Sequence, residues 1–544
     1  MRKWCSGVLA VLMFLTMCLP VVAQEAELGV VQTAYGQAQG VPGATYEGVT
    51  LFKGVPYAAP PVGELRWAEP QDPEPWEGVR VFDTYADGAM QWPNDMAAEP
   101  WKSDFYYDPL PEFSEDCLYL NIATPAVTGD EALPVYIWFH GGGLNHGFSF
   151  EVECDPEALA AKGVVVVEVG TRLGVFGYMA LPQLSEASGY GASGNYGLMD
   201  EIKALEWVKE NIAAFGGNPD NITVGGQSGG TSKTAALFAN ETSAAMVDNV
   251  IWETGLKYDM AFVSQEEMEE RSIQWLQACG LTGEETLEEL RAMDASVFMG
   301  AEDSYGSAPQ AMCYDGKYVC YDNLKGAYED GLFQGVNILV GANLGESSQD
   351  GVGDIADAGS FYAYFRQLLG DQLYEKYDFE NLVPVTDEDA VATARRLTSY
   401  GFVTNTSRNI QYVELFGRKF TQDFQGGDVY VYLFSHFTPG RNEDYYWAWH
   451  SSELWYVFGS LRDIPQQRDW EDWDYTLADI CTSYWSNFMR TGDPNGEGLP
   501  QWLPSNWEQL AHMNLGDEDT IGCVTDMYGL QDLLVEYIET NMPL

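Results

Sequence analysis

The run from Gly226 to Gly230 (GQSGG) places a serine, Ser228, between glycines. Glycine on both sides lets the backbone turn sharply with almost no side-chain bulk, so the serine hydroxyl projects from the turn. An apolar segment, residues 222–224, precedes the run, and a segment typical of a helix, residues 231–239, follows it. Strand, tight turn and helix is the setting in which enzymes expose a nucleophilic serine. Ser228 is therefore our candidate nucleophile.

A serine hydroxyl at neutral pH is a poor nucleophile and needs a base, which is most often histidine. The chain has five, at His140, His146, His436, His450 and His512. Around a turn of this kind the base follows the nucleophile along the chain, which disfavours the two early histidines. His450 lies in a polar patch, in a predicted loop after the strand 429–434. His436, directly beyond that strand, is the rival, and His512 could be an ordinary surface residue.

A carboxylate is needed to hold the protonated base, and it should follow a strand between the serine and the histidine in sequence. Glu346 fits, since residues 336–340 are typical of a buried strand and residues 341–345 form the turn after it. Its role would be to accept the Nδ1 proton and to fix the tautomer of the base. Asp350 and Asp354 are nearby alternatives.

Three glycines, Gly141 to Gly143, follow His140 at the end of the predicted strand 133–139. Consecutive glycines can direct backbone N–H groups at one oxygen, and with the N–H of Gly229 they would stabilise the oxyanion of a tetrahedral intermediate. A phosphate-binding loop is excluded, because no Gly-Lys-Ser/Thr follows. His140 itself is predicted to be structural.

Short β-branched or aromatic segments alternate with helical ones along the chain. Residues 163–169 are a further buried strand, and residues 199–214 have the apolar spacing of a helix, followed by a turn at 215–219. This alternation predicts an α/β fold with a mainly parallel central sheet flanked by helices. No linker, repeat or charge block interrupts residues 24–544, so we expect one large domain there.

These motifs together resemble the type-B carboxylesterases, which include cholinesterases and bacterial para-nitrobenzyl esterases. The resemblance covers nearly all of the chain after residue 23. It is carried, in order, by residues 52–58 (FKGVPYA), 60–66 (PPVGELR), 115–121 (EDCLYLN), 140–143 (HGGG), 172–174 (RLG), 194–198 (GNYGL), 211–219 (NIAAFGGNP), 341–343 (GAN), 450–459 (HSSELWYVFG) and 492–495 (GDPN).

The resemblance implies the α/β-hydrolase fold, with long insertions around the active site, and hydrolysis of small-molecule carboxylic esters without cofactor or metal. By resemblance the catalytic residues are Ser228, Glu346 and His450. The oxyanion hole is formed by Gly142, Gly143 and Gly229. A non-catalytic binding or adhesion protein of the same fold is one alternative, and a lipase, thioesterase or peptidase with the same triad is another.

The chain departs from the family pattern beside these residues. Gln227 stands where the family usually has Glu, and Gly229 stands where it usually has Ala. Glu346 lies between Gly345 and Ser347, whereas the family's acid commonly lies between Asp and Gly. Cys117 matches a cysteine that often forms a disulfide, but the expected partner position is Ala89, so we do not carry that disulfide over.

The first 23 residues are typical of a secretory signal peptide. Arg2 and Lys3 precede an apolar stretch, and residues 21–23 (VVA) form a cleavage motif. A membrane anchor and a lipoprotein signal ending at Cys18 are the alternatives. We expect a secreted or periplasmic protein without stable membrane insertion after cleavage.

The chain of 544 residues has 27 Lys and Arg against 82 Asp and Glu, a formal net charge of -55. Such a surface repels phosphate backbones, so nucleic acid is not an expected partner. The charge is typical of a protein kept soluble outside the cell or in salt.

Overall fold

The structure is a computed structural model. It describes residues 28–92, 110–301, 307–346, 352–403, 405–440, 443–462 and 468–544. The predicted signal peptide and the alternative acid Asp350 lie outside the described residues.

A large mixed sheet forms the centre of the fold. The strands of the described residues are β1 (Val31–Gln32), β2 (Gln37–Gln39), β3 (Val41–Pro42), β4 (Thr50–Pro56), β5 (Val79–Val81), β6 (Gly88–Ala89), β7 (Phe113–Ser114), β8 (Tyr119–Thr124), β9 (Leu133–Phe139), β10 (Val165–Val169), β11 (Gly217–Gln227), β12 (Asn249–Glu253), β13 (Asn337–Asn343), β14 (Val429–Phe434), β15 (His512–Leu515) and β16 (Gly522–Val524). Eleven of them join in the order β16-β15-β14-β13-β12-β11-β9-β10-β8-β4-β3.

The middle of this sheet is parallel. Every neighbouring pair from β15 through β9 to β10 runs in the same direction, and the antiparallel pairs lie towards the two edges. The parallel strands are buried along nearly their whole length, which explains their continuous apolar sequences. The predicted mainly parallel α/β sheet is therefore confirmed.

Helices cover the sheet. They are α1 (Glu157–Ala161), α2 (Gly174–Tyr178), α3 (Pro182–Ala187), α4 (Tyr196–Asn211), α5 (Gly229–Ala236), α6 (Glu241–Ala244), α7 (Gln265–Ala278), α8 (Leu287–Ala292), α9 (Lys325–Glu329), α10 (Ala358–Lys376), α11 (Phe379–Leu382), α12 (Ala390–Leu397), α13 (Ile410–Asp423), α14 (Glu443–Tyr446), α15 (Leu454–Val457), α16 (Asp472–Thr491) and α17 (Gln531–Asn541). Among the described residues, no helix has the length and apolar character needed to cross a bilayer.

The predicted elements exist, and the strands predicted over 133–139 and 429–434 have the predicted ends. The ends of other elements differ. The helix expected over 199–214 starts earlier, at Tyr196, and its last turn is a 3-10 helix, Ile212–Phe215. The turn predicted over 215–219 ends at Gly216, which has a φ of 81°. The prediction is wrong for residues 217–219. Strand β11 already begins at Gly217, because it continues to pair with β9 across a register shift between Gly217 and Ile222. Tertiary pairing therefore extended a strand that local sequence makes only three residues long.

Parallel strands deliver their following loops to one edge of a sheet. The loops after β9, β11, β13 and β14 carry the candidate oxyanion glycines, nucleophile, acid and base, respectively. Strand order places β11 next to β9, and β12, β13 and β14 follow on its other side. The topology thus brings residues that are far apart in sequence to the same edge.

His436, the rival base, connects two acidic side chains at this edge. Its Nε2 lies 2.8 Å from Asp474 Oδ1 and its Nδ1 lies 2.6 Å from Asp517 Oδ1. Burial lowers the pKa of His436, but the two aspartates outweigh burial, and the net effect raises the pKa. This histidine therefore joins the end of β14 to the start of α16 and to the loop after β15.

Replacement of His436 by Gln is expected to destabilise the protein in a pH-dependent way. Because the folded-state pKa is raised, the contribution to the free energy of unfolding is fully present below the unfolded-state pKa and is lost as pH rises through the folded-state value. We expect the melting temperature of H436Q to lie about 2 °C below wild type at pH 6. The difference should shrink at pH 9. If the melting temperatures of wild type and H436Q differ equally at both pH values, a charged interaction of His436 with Asp474 and Asp517 is contradicted.

Candidate active site

Ser228 occupies a strained turn between β11 and α5. Its φ of 54° and ψ of -114° lie outside the regions that residues with a side chain prefer. The turn is held by backbone hydrogen bonds, since Ser228 N–H donates to Glu253 O at 3.0 Å and Thr231 N–H donates to Ser228 O at 3.1 Å. Gln227 and Gly229 are buried on either side, while Ser228 keeps partial exposure. Strain of this kind is characteristic of functional turns.

The glycines around Ser228 are required by close backbone packing. A methyl group on Gly226 would lie 2.5 Å from the carbonyl carbon of Gly230. One on Gly230 would overlap the carbonyl oxygen of Phe139, at the end of β9. Helix α5 can begin directly after Ser228, the candidate nucleophile, only because neither position carries a side chain.

His450 lies beside Glu346. The Nδ1 atom of His450 is 2.7 Å from Glu346 Oε2, and both side chains are mostly buried. Since the carboxylate accepts, Nδ1 carries the hydrogen and Nε2 is left with its lone pair. Gln227 Nε2 lies 3.3 Å from His450 Nε2, so the side-chain amide next to the nucleophile donates to the basic nitrogen. The imidazole ring thus has its acid on one side and the nucleophile turn on the other.

Backbone contacts hold the acid and base loops together. Gly345 N–H donates to Ala448 O at 2.7 Å, and the side-chain amide of Asn343 donates to Trp449 O at 2.7 Å. A methyl group on Gly345 would overlap the carbonyl oxygen of Tyr446, which explains a glycine at this departure from the family pattern. The distance between Glu346 and His450 is therefore set by the loops that carry them.

Glu346 is kept ionised although it is buried. Burial raises the pKa of its carboxyl group, but the charge of His450, the hydrogen bond from His450 and the charge of Arg408 outweigh burial and lower the pKa. The Nη1 atom of Arg408 lies 3.4 Å from Glu346 Oε2. An ionised carboxylate here can stabilise the imidazolium that forms when His450 accepts a proton.

A second buried glutamate, Glu453, lies close to the first without competing with it. It accepts hydrogen bonds from Thr254 Oγ1 at 3.2 Å and from the Asn343 side-chain amide. Burial, together with the negative charge of Glu346, raises the pKa of Glu453 to about 8. It is therefore mainly protonated at neutral pH, and His450 faces a single negative charge.

The candidate oxyanion glycines lie against the turn that carries Ser228. Gly142 and Gly143 have φ values of 81° and 65°, which only glycine adopts without strain. A methyl group on Gly229 would overlap the carbonyl oxygen of Gly143, so the two backbones are in direct contact. Within the described residues, the N–H groups of Gly142 and Gly143 donate to no other residue. They are available to an oxygen bound at the turn.

The other histidines and the alternative acid take different positions. His512 is not a surface residue as expected, because it lies in β15 with its Nδ1 2.8 Å from the buried Glu414 Oε1. His146 Nδ1 lies 2.9 Å from Asn145 Oδ1. Asp354 is exposed. Of the candidate bases in the described residues, His450 is the one that contacts Glu346.

Sequence reasoning missed Arg408, Asn343 as a loop connector, and the protonated state of Glu453. Arg408 lies in a 3-10 turn, Thr406–Arg408, that carries no motif. Glu453 belongs to the motif around His450, but its protonation depends on burial and on Glu346, which spacing does not reveal. The cysteines of the described residues are all free, including buried Cys117, in agreement with the missing partner at Ala89.

Comparisons with known proteins identify the family of the chain. Residues 27–529 match the carboxylesterase family. This chain belongs to that family. It is 32% identical over 508 residues to the para-nitrobenzyl esterase of Bacillus subtilis (strain 168), a match covering 90% of this chain and 96% of that protein. It is also 32% identical over 503 residues to the fumonisin B1 esterase of Sphingopyxis macrogoltabida, covering 89% of this chain and 86% of the other.

Solved structures of related enzymes have the same fold. A structure of a PNB esterase superposes with a TM-score of 0.71 at 29% identity, covering 93% of this chain and 99% of the other. A Geobacillus stearothermophilus carboxylesterase gives a TM-score of 0.69 at 28% identity, again covering 93% and 99%. The resemblance and the α/β-hydrolase fold are confirmed, and the protein is a carboxylic ester hydrolase.

Replacement of Gly229 by Ala is expected to impair the enzyme, although alanine is usual in the family. The added methyl group would push the Gly143 carbonyl away and separate the backbone donors around the oxyanion. Removal of one such donor costs about 10²–10³ in kcat, so a partial displacement should cost about tenfold, with a smaller change in KM. Steady-state kinetics on para-nitrophenyl acetate would measure this. A kcat within twofold of wild type would contradict the expected overlap between the methyl group at residue 229 and the Gly143 carbonyl.

Replacement of Gln227 by Glu should move the acidic limb of the kcat/KM profile to higher pH. A carboxylate beside His450 Nε2 stabilises the imidazolium, and a nearby opposite charge shifts such a titration by about one unit or more. Gln227→Met is the neutral control and should produce no upward shift. If the acidic limbs of the kcat/KM profiles of Q227E and wild type coincide, residue 227 does not face His450.

Proposed function

We propose that this protein is an exported serine carboxylesterase, in which Ser228, His450 and Glu346 hydrolyse small-molecule esters through an acyl-enzyme. The observation that carries the proposal is the position of the His450 ring. Its Nδ1 is held by Glu346 at 2.7 Å, and its Nε2 lies 3.3 Å from the side chain that directly precedes Ser228. The basic nitrogen therefore faces the nucleophile turn.

In the first half-reaction, Ser228 Oγ attacks the ester carbonyl carbon while His450 Nε2 takes the serine proton. The carbonyl oxygen becomes an oxyanion, which accepts hydrogen bonds from the N–H groups of Gly142, Gly143 and Gly229. The intermediate then collapses. The bond to the alcohol oxygen breaks, and His450 returns its proton to that oxygen, leaving an ester between Ser228 and the acyl group.

In the second half-reaction, His450 takes a proton from water, and the resulting hydroxide attacks the acyl carbonyl carbon. Collapse of this intermediate releases the carboxylic acid and returns the proton to Ser228. Glu346 stays ionised throughout and balances the imidazolium twice in each cycle. Each step uses only side chains and backbone groups of this chain.

The charge of the chain favours neutral esters over polyanionic substrates. A net charge of -55 repels a ligand that carries several phosphates. Relatives include a fatty acyl-CoA hydrolase of Anas platyrhynchos and an acylcarnitine hydrolase of Rattus norvegicus, which show that the family acts on different acyl carriers. For this chain, we propose uncharged carboxylic esters. Export rests on the N-terminal 23 residues and is tested by cleavage of that segment and recovery of the mature protein outside the cytoplasm.

The nucleophile is tested by labelling with a fluorophosphonate probe. Wild-type protein should be labelled, and Ser228→Ala should not be labelled and should lose about 10⁵–10⁶ in kcat. Ser232→Ala is the matched control, since Ser232 follows in the same helix and should change neither result. A wild-type protein that is not labelled and cleaves no short aryl ester would refute the proposed mechanism.

The substrate class is tested by comparing kcat/KM on a short aryl ester, a long-chain acyl ester, an acyl-CoA thioester and an anilide. We expect the short ester to be cleaved fastest and the anilide slowest. The acyl-CoA reaction should improve with added salt, since salt screens the repulsion between like charges. Faster turnover of the anilide than of the ester would contradict the proposal.

A further inference from the structure

A lysine is buried behind the oxyanion glycines. Lys233 lies on α5, one turn after Gly229, and its side chain has no exposed surface. Its Nζ donates to His140 O at 3.1 Å and lies 3.3 Å from His140 Nε2. Burying an ammonium group costs free energy unless the group is paired and hydrogen-bonded. This ammonium group contacts His140, the first residue of the segment 140–143 that contains the oxyanion glycines.

The contacts of Lys233 fix the tautomer of His140. His140 Nδ1 lies 2.9 Å from Gly141 O, and because a carbonyl only accepts, Nδ1 carries the hydrogen. Nε2 is then the acceptor for the ammonium of Lys233. Burial and the charge of Lys233 both lower the pKa of His140 well below its ordinary value, so the ring is neutral. A continuous chain of hydrogen bonds runs from Lys233 through His140 to the backbone of Gly141.

The first turn of α5 packs on the same segment. A methyl group on Gly230 would lie 3.1 Å from His140 O, and one on Gly229 would overlap Gly143 O. Helix α5 therefore touches the segment at both ends, at Gly143 through its first residue and at His140 through Lys233. The helix that presents one oxyanion donor thus also positions the segment with the other two.

The charged groups around Lys233 come from two other elements. Glu201 lies on α4, and Glu151 lies in the loop after the glycines. Both are buried, and both oppose the effect of burial on Lys233, whose pKa is lowered to about 8. Burial also raises the pKa of Glu201 to about 8 and that of Glu151 to about 7. In the described residues neither carboxylate forms an ion pair with Lys233, so the interaction acts through space.

We propose that Lys233 is a positioning residue for ester hydrolysis, whose ammonium group fixes His140 and holds the oxyanion glycines against the nucleophile turn. The inference rests on the proposed function, since it assigns Gly142, Gly143 and Gly229 to the oxyanion. The ammonium also places a positive charge behind the site where negative charge develops. Both effects are larger in the transition state than in the bound substrate, so they act on kcat more than on KM.

The proposal predicts that the pH profile of kcat has a basic limb, which is a decrease in kcat at high pH. Lys233 is charged at neutral pH and loses its proton near pH 8, so kcat should fall above that pH. The pKa of Glu201 is also about 8, so Glu201 ionises over the same pH range as Lys233, and its carboxylate then favours the charged form of Lys233. Replacing Glu201 by neutral Gln should therefore let Lys233 lose its proton at lower pH. Arginine at 233 stays charged throughout, so it should remove the limb.

The test is the pH dependence of kcat and KM on para-nitrophenyl acetate from pH 6 to 10 for wild type, K233R, K233M and E201Q. Thermal melting and active-site titration with a fluorophosphonate give the folded, active fraction of each variant. We expect K233M to lose about tenfold to a hundredfold in kcat without a basic limb and with KM changed less than threefold. We expect E201Q to move the limb to lower pH and K233R to extend activity to higher pH.

Three results would overturn the proposal. The first is folded K233M with wild-type kcat, and the second is E201Q with a limb that coincides with that of wild type. The third is K233R that is folded and keeps the wild-type limb. If a substitution at 233 prevents folding, E201Q still decides, because it leaves Lys233 in place. A purely structural Lys233 would lower the melting temperature without moving the limb. Absence of ester turnover and labelling in wild type would instead refute the proposed function.

Discussion

Helix α5 starts so close to the end of β9 that Gly226, Gly229 and Gly230 cannot carry side chains. Gly226 faces Gly230, Gly230 faces the carbonyl of Phe139, and Gly229 faces the carbonyl of Gly143. This packing forces the backbone of Ser228 into its strained conformation and brings the helix N-terminus against the glycines after β9. One packing constraint thus sets the positions of the candidate nucleophile and the candidate oxyanion donors, and it depends on β9 and β11 being neighbours in the sheet.

The electrostatics of the site depend on keeping one carboxylate charged among several buried ones. Glu346 remains ionised because His450 and Arg408 face it. In the part of the chain that the structure describes, no cation pairs with Glu453 or Glu253, and burial raises the pKa of each. Glu253 accepts a hydrogen bond from Trp485 Nε1 at 2.8 Å. An uncompensated buried charge is costly, so burial favours the neutral form of Glu453 and Glu253, whereas Glu346 stays ionised beside His450 and Arg408.

Two arginines of this acidic chain form buried ion pairs that connect separate parts of the sequence. Arg66 forms a bidentate pair with Glu115 at 2.6 Å, joining two of the motifs that carry the family resemblance. Arg172 pairs with Asp200 at 2.6 Å, and both are fully buried. Breaking either pair would leave a buried charge alone, which is strongly destabilising. The negative excess therefore lies on the surface, where water solvates it.

The family resemblance named the candidate acid and base, whereas the sequence by itself predicted the α/β class and the turn that carries Ser228. It could do so because these features are local. A turn without side chains needs glycine, and a buried parallel strand such as Val429–Phe434 needs an unbroken apolar run. The chain order of Ser228, Glu346 and His450 then restricted the choice among many acids and five histidines.

Only the tertiary structure decided features that depend on neighbours distant along the chain. Strand β11 extends beyond its apolar core because β9 and β12 pair with it. The protonated state of Glu453, the charge of Arg408 beside Glu346 and the contact of Lys233 with His140 all depend on burial and on charges brought close by folding. Sequence spacing carries no information on these distances, because the dielectric environment and Coulomb energy of a side chain are set by what packs around it.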